Sequence, residues 1–245
     1  SHDQIDKRSL GKKRLHLNAK GKLILEQDFR NFLNKHWCEN LSKSDDLNFD
    51  YSNEFRRLKV DYKANPIISY WNINSIRNKF DDLKQILQDN VDVFCIAESK
   101  IDAPFPDSQF ILQGFKTPVR FDVTSNRGGL LVYIKETLPS RVLSRNMIDK
   151  DMQLIPIELN FRKQKWLSIF IYRPPSENLG FFIENLTKII DFYSKKYPNV
   201  IILGDFNATE SNSYLSAFLQ NYAFYNLIKN PTCFKNQNNP SCIDL

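Results

Sequence analysis

Glycine is scarce in this chain: seven glycines stand against nineteen phenylalanines in 245 residues, the balance of a packed globule rather than a disordered tail. Cysteine is also sparse. Cys38, Cys95, Cys233 and Cys242 form no metal-spaced pair, and Cys95 lies in an apolar run, which suits a buried thiol in a reducing compartment. No segment approaches the roughly 18 uninterrupted apolar residues of a membrane span, and the charged start is no secretory signal. No internal repeat or low-complexity tract is present. Histidine is confined to His2, His16 and His36, so residues 66–245 contain none.

What is present suffices for one domain plus an appendage. Hydrophobic side chains make up 42% of the chain, enough for a full core. The net charge of +6 is uneven: residues 1–65 hold 14 Lys and Arg against 10 Asp and Glu, and residues 66–245 hold 20 against 18. The run Lys7-Arg8 to Lys12-Lys13-Arg14 reads either as a phosphate-touching arm or as a solvated basic tail. Residues 1–65 therefore read as a basic, partly disordered leader, with a short helix at Phe29–Trp37 and a polar loop at Asp45–Tyr51.

Four apolar runs end on polar side chains. Val200–Leu203 reads as a short strand, after which Gly204 is expected to turn the chain sharply and Asp205 and Asn207 to point the same way. The other three are Ile67–Trp71 before Asn72-Ile73-Asn74, Val91–Ile96 before Ala97-Glu98-Ser99-Lys100, and Trp166–Ile171 before Tyr172-Arg173-Pro174-Pro175. Rigid strands feeding free loops are where α/β proteins collect their sites. Helices are expected from Ser75 as N-cap (Ile76, Phe80, Leu83, Leu87), over Leu179–Tyr193, and after Ser211 or Asn212. Strands are expected near 129–134, 154–159 and 166–172, with Pro156 marking the middle one as an edge or irregular strand.

Taken in order, Asn72-Ile73-Asn74-Ser75-Ile76-Arg77-Asn78-Lys79, Ala97-Glu98-Ser99-Lys100, Arg127-Gly128-Gly129, Tyr172-Arg173-Pro174-Pro175, Gly204-Asp205-Phe206-Asn207 and Pro240-Ser241-Cys242-Ile243-Asp244 resemble the endonuclease/exonuclease/phosphatase superfamily. Pro231-Thr232-Cys233-Phe234 before the last motif is similar to the endonuclease domains of non-LTR retrotransposons. The resemblance covers residues 66–245 and implies a DNase I-like four-layer α/β sandwich, two packed sheets with outer helices, lacking the last strand.

It also implies a Mg²⁺-dependent DNA endonuclease, Mn²⁺ being the alternative ion. Its role would be to nick a target for a reverse transcriptase encoded downstream, at a nuclear or cytoplasmic location away from any membrane. By resemblance Glu98 and Asn72 hold the metal, and Asp205 orients or deprotonates the attacking water. Asn207 and Tyr172 meet phosphate oxygens, and Asp244 supports a catalytic histidine. Arg173, read as exposed, Asn74, Thr232 and Ser241 are the substrate-contact candidates. Each has a plainer reading: a surface carboxylate for Glu98, a helix cap for Asn74, a core ring for Tyr172, strand hydroxyls for Thr232 and Ser241. The superfamily's histidine follows the Ile-Asp-Leu strand, in which this chain stops, so a truncated, weak or inactive fragment is expected. Another phosphodiesterase of the same fold and a non-catalytic remnant are the competing expectations.

Overall fold

A computed structural model describes residues 58–61, 63, 65–87 and 90–228. Its elements follow the periodicity of the chain. Strands β1 (Ile68–Asn72), β2 (Val93–Ala97), β3 (Val119–Phe121) and β4 (Leu130–Ile134) form one sheet in the order β1-β2-β4-β3. Strands β5 (Ser140–Val142), β6 (Leu154–Phe161), β7 (Gln164–Tyr172) and β8 (Asn199–Asp205) form a second in the order β5-β6-β7-β8. Helix α1 (Phe80–Leu87) lies between β1 and β2 in sequence, α2 (Leu179–Ser194) between β7 and β8, and α3 (Ser213–Asn221) after β8. The chain passes from one sheet to the other once, through residues 135–139.

Strand alternation sorts the apolar side chains into layers. Val93, Cys95, Ala97, Leu130, Val132 and Ile134 face Ile155, Ile157, Leu159, Phe170 and Tyr172 between the sheets. The outward set of the first sheet, Phe94, Ile96, Leu131 and Tyr133, is covered by Ile76, Phe80, Leu83 and Leu87. That of the second, Leu167, Ile169 and Ile171, is covered by Phe182, Leu186, Ile189 and Ile190 of α2 and by Leu215 and Phe218 of α3. Each fully buried aliphatic or aromatic side chain stabilises the fold by about 1.5–3 kcal/mol. The four-layer sandwich expected from the sequence is the architecture observed, and Cys95 is fully buried as expected. Leu58 also packs on the outer cluster of the first sheet. Most of the leader, the Phe29–Trp37 helix, the Asp45–Tyr51 loop and the final strand lie outside the described residues.

Three local expectations are corrected. Helix α1 starts at Phe80, not after Ser75; Ser75 takes φ 89° and donates its N–H to Glu98 O at 2.8 Å, so it closes a loop against β2 instead of capping. Pro156 lies in an interior strand, because its ring nitrogen faces β5 just beyond the last residue of that short strand. Leu143 N–H donates to Pro156 O there at 2.9 Å, while the ladder to β7 lies on the other side and loses nothing. Gly204 is inside β8, opposite Ile171, and makes no turn. The expected Asn212 cap does form, accepting from Tyr214 N–H at 3.0 Å.

Away from the strand exits just named, Glu158 in β6 is buried in a polar cluster. It accepts from Tyr197 Oη, from Arg141 Nη2 at 3.1 Å and from Asn160 Nδ2 at 3.3 Å, with Lys165 Nζ at 3.4 Å. The Tyr197 hydrogen bond chiefly, against the opposing effect of burial, brings its pKa down to about 2. A carboxyl lowered on folding adds stability that is complete above its ordinary pKa and vanishes as pH falls through 4 towards 2. About 2 kcal/mol is expected to be lost over that window, allowing for the exposed heads of Arg141 and Lys165. Urea midpoints at pH 7 and pH 3 should show it, and the extra acid sensitivity should be gone in Glu158→Gln.

Candidate active site

Each sheet contains one parallel pair, β1–β2 and β7–β8, and each pair presents its two C-terminal ends side by side. Asn72 is opposite Ala97, the residue before Glu98, and Tyr172 is opposite Asp205. The sandwich brings the two pairs of exits together. Asn72 Nδ2 donates to Glu98 Oε1 at 2.8 Å and to Asp205 Oδ2 at 3.2 Å, so one amide ties a carboxylate of each sheet. Both partners are acceptors only, which fixes the amide orientation and turns Oδ1 towards Asn74 N–H at 3.2 Å. Tyr172 Oη donates to Glu98 Oε1 at 3.0 Å, and Lys100 Nζ lies 3.4 Å from Glu98 Oε2. The Lys100 ammonium also donates to Asn74 Oδ1.

These contacts set the charge state of the centre. Burial alone would raise the Glu98 pKa, but hydrogen bonds from Asn72, Tyr172 and Lys100 and the lysine charge hold it below the ordinary carboxylate range. Burial and the neighbouring Glu98 charge push the Tyr172 phenol upwards, so it remains a proton donor. Glu98 sits at φ 50° in a turn fastened by Ser99 N–H to Gly129 O at 3.2 Å and Lys100 N–H to Gly128 O at 3.0 Å. Gly129 has φ 93°, and a Cβ there would stand 2.4 Å from Ser99 Oγ. The Arg127-Gly128-Gly129 motif thus permits the backbone approach that holds the carboxylate turn.

Asp205 is buried and accepts Asn207 N–H on Oδ1 at 2.8 Å. The expectation that Asp205 and Asn207 share a face of extended chain is corrected: Asn207 takes φ 46°, and an Asx turn brings the two together. Asn207 spends one amide hydrogen on Arg173 O at 2.8 Å. Arg173 is corrected as well. It is 5% exposed, and its guanidinium donates to main-chain carbonyls, so it does not extend towards solvent as a phosphate contact. Phe206 is in the core. Asp244, Thr232 and Ser241 lie outside the described residues.

Sequence reasoning missed two supports. Tyr70 Oη donates to Ile171 O at 2.7 Å and accepts Asp205 N–H at 3.1 Å, joining the sheets directly beneath the site. Its position two before Asn72 on a strand was a usable signal, since i and i+2 share a face. Buried Gln153 accepts Gly129 N–H on Oε1 at 2.8 Å while its carbonyl accepts Tyr172 N–H at 3.0 Å. Nothing in the sequence marks Gln153.

The donor set suits a hard divalent ion. Mg²⁺ is typically held by one or two carboxylates with water and substrate phosphate completing the shell, and an ionised Glu98 beside the Asn72 amide offers such oxygens. No group of three or more His, Cys, Asp and Glu occurs among the described residues, so they do not form a zinc-type cage.

A profile of the endonuclease/exonuclease/phosphatase family matches residues 69–245. The chain belongs to this family. No curated protein sequence matches it. Among solved structures, the catalytic domain of Xenopus laevis APE2 is similar with a TM-score of 0.55 at 18% identity, over 74% of this chain and 81% of that one. The endonuclease domain of TRAS1, a telomere-specific non-LTR retrotransposon, is similar with a TM-score of 0.52 at 11% identity, over 73% and 83%. The 3'-5' exonuclease NExo from Neisseria meningitidis gives 0.50 at 18%, over 65% and 70%. At these identities the likeness is one of fold, and the family's DNase I-like sandwich is the one described above.

Proposed function

We propose that this member of the family is a Mg²⁺-dependent DNA endonuclease that nicks one strand by phosphodiester hydrolysis, in the service of a non-LTR retrotransposon. The observation that carries the chemistry is the joining of Glu98 and Asp205, one from each sheet, through the single amide of Asn72. The retrotransposon assignment is supported by the Asn72–Lys79 and Pro240–Asp244 motifs and the similarity to the TRAS1 domain. A reverse transcriptase encoded downstream is the partner that this role requires.

Glu98, with Asn72 beside it, would hold the ion. When bound, Mg²⁺ polarises the scissile phosphate and offsets its charge. Asp205, held by the hydrogen bonds from Asn207 N–H and Asn72 Nδ2, takes the proton of the attacking water. The remaining amide hydrogen of Asn207 donates to a phosphate oxygen as charge grows there, and the Tyr172 phenol does so by turning its single hydrogen from Glu98 to the phosphate. Lys100 and Asn74 line the approach. Residues 66–245 hold no histidine, so the roles above are assigned to carboxylate, amide and phenol groups.

Nicking of supercoiled plasmid tests the reading. Relaxed circles are expected with Mg²⁺ and not with EDTA, and Glu98→Ala is expected to lower the rate by about 10³-fold. Nicking by Glu98→Ala at the wild-type rate would remove the proposal. Cleavage of abasic DNA, RNA or a phosphoinositide in preference to intact plasmid would keep the chemistry and replace the substrate.

A further inference from the structure

We infer that Arg173 is a positioning residue that sets the Asp205-Phe206-Asn207 loop for hydrolysis, a role resting on the reading of the site given above. Four of its five N–H donors are spent on main-chain carbonyls. Nε donates to Phe206 O at 2.5 Å, Nη2 to Asn207 O at 2.7 Å, and Nη1 to Pro174 O at 3.2 Å and to Glu177 O. The backbone of the same residue completes the clamp, with Arg173 N–H donating to Asp205 O at 2.9 Å and Arg173 O accepting from Asn207 Nδ2 at 2.8 Å. Residue 173 therefore makes four hydrogen bonds to residues 205–207.

The local chemistry explains why the clamp is an arginine. Asn207 sits at φ 46°, so the chain leaves β8 in a conformation that L side chains seldom adopt. Carbonyls turned inward there would lack partners in a buried setting, and an unmet buried carbonyl is costly. A planar fork reaches carbonyls on both sides of the bend at once, whereas an ammonium is a point donor on a flexible stem. Three of these contacts are made with Asp205 or Asn207, the two groups assigned to the water and the phosphate, and a fourth holds Phe206 between them. Misplacement of such groups by an ångström costs up to about 100-fold in rate, and loss of an outer support about 10- to 100-fold.

Arg173→Lys and Arg173→Met test this at saturating Mg²⁺, with rates expressed per folded molecule from melting curves. The expected result is a kcat lowered about 10- to 100-fold with KM within about twofold of wild type. In Arg173→Ala, added methylguanidinium should restore part of the rate. Amide hydrogen exchange at Phe206 and Asn207 should quicken at least about tenfold in Arg173→Lys while Val200–Leu203 stay protected. That exchange readout needs no catalysis, so it separates failure of this inference from failure of the nuclease reading, which an inactive wild type would indicate. A raised KM with a shallower salt dependence and unchanged kcat would overturn it in favour of a direct phosphate contact. So would wild-type activity per folded molecule, which would reduce Arg173 to a purely structural brace.

Discussion

Asp205→Asn is expected to lower phosphodiester hydrolysis by about 10²- to 10⁴-fold, and the damage is not confined to the proton acceptor. In the wild type Asp205 Oδ1 accepts from Asn207 N–H and Oδ2 from Asn72 Nδ2. An asparagine can keep the first contact through its oxygen, but its NH₂ group then meets the NH₂ group of Asn72. Two donors face each other, and the simplest relief is a flip of Asn72. That flip turns the Asn72 oxygen onto Glu98 Oε1, where a donor now sits at 2.8 Å. The substitution thus removes one acid–base group and loosens the carboxylate of the other sheet. Plasmid nicking by Asp205→Asn, beside the double variant Asp205→Asn/Asn72→Ala, measures this. The double variant should be little worse than the single one, because both changes break one unit. Additive losses would show that Asn72 does not couple the two carboxylates.

Gly204→Ala is expected to destabilise the fold by about 3 kcal/mol or more, near the upper range for single substitutions. A Cβ at 204 would stand 2.2 Å from Ile171 Cγ1 and 2.3 Å from Ile171 O. The second contact is with backbone inside the β7–β8 ladder, so it cannot be relieved by a rotamer change. Relief requires parting the strands at Ile171↔Gly204, one step before Tyr172↔Asp205. Urea unfolding followed by tryptophan emission checks the loss, and a midpoint equivalent to less than about 1 kcal/mol of change would show that the ladder gives way cheaply.

That glycine also illustrates what the sequence carried and what it withheld. A glycine ahead of Asp-x-Asn reads naturally as a turn, because its freedom of φ is visible in the residue type and the proximity of a neighbouring strand is not. Arg173 misled for a related reason: an arginine before two prolines looks solvated until the carbonyls it serves, more than thirty residues away, are placed around it. Pro156 was misjudged because its missing donor matters only on the side where a partner strand continues. The four strand exits, by contrast, were legible from short-range pattern alone. Apolar runs ending in Asn72, Glu98, Tyr172 and Asp205 needed no partner to be recognised. Gln153 is the opposite case, a polar residue whose whole significance lies in distant contacts, to Gly129 and, through its carbonyl, to Tyr172.

The single passage from one sheet to the other between β4 and β5 divides the centre by order of synthesis. Asn72, Glu98 and Lys100 belong to the part of the chain made first; Tyr172, Asp205 and Asn207 belong to the part made second. The bonds that join them span 74 positions for Tyr172 to Glu98 and 133 for Asn72 to Asp205. Contacts so remote in sequence close late in folding, after each sheet has formed. A half-made or half-unfolded molecule therefore carries Glu98 and Asp205, to which metal binding and water activation are assigned by proposal, on separate, uncoupled pieces. Under the proposed function, cutting is tied in this way to completion of the sandwich.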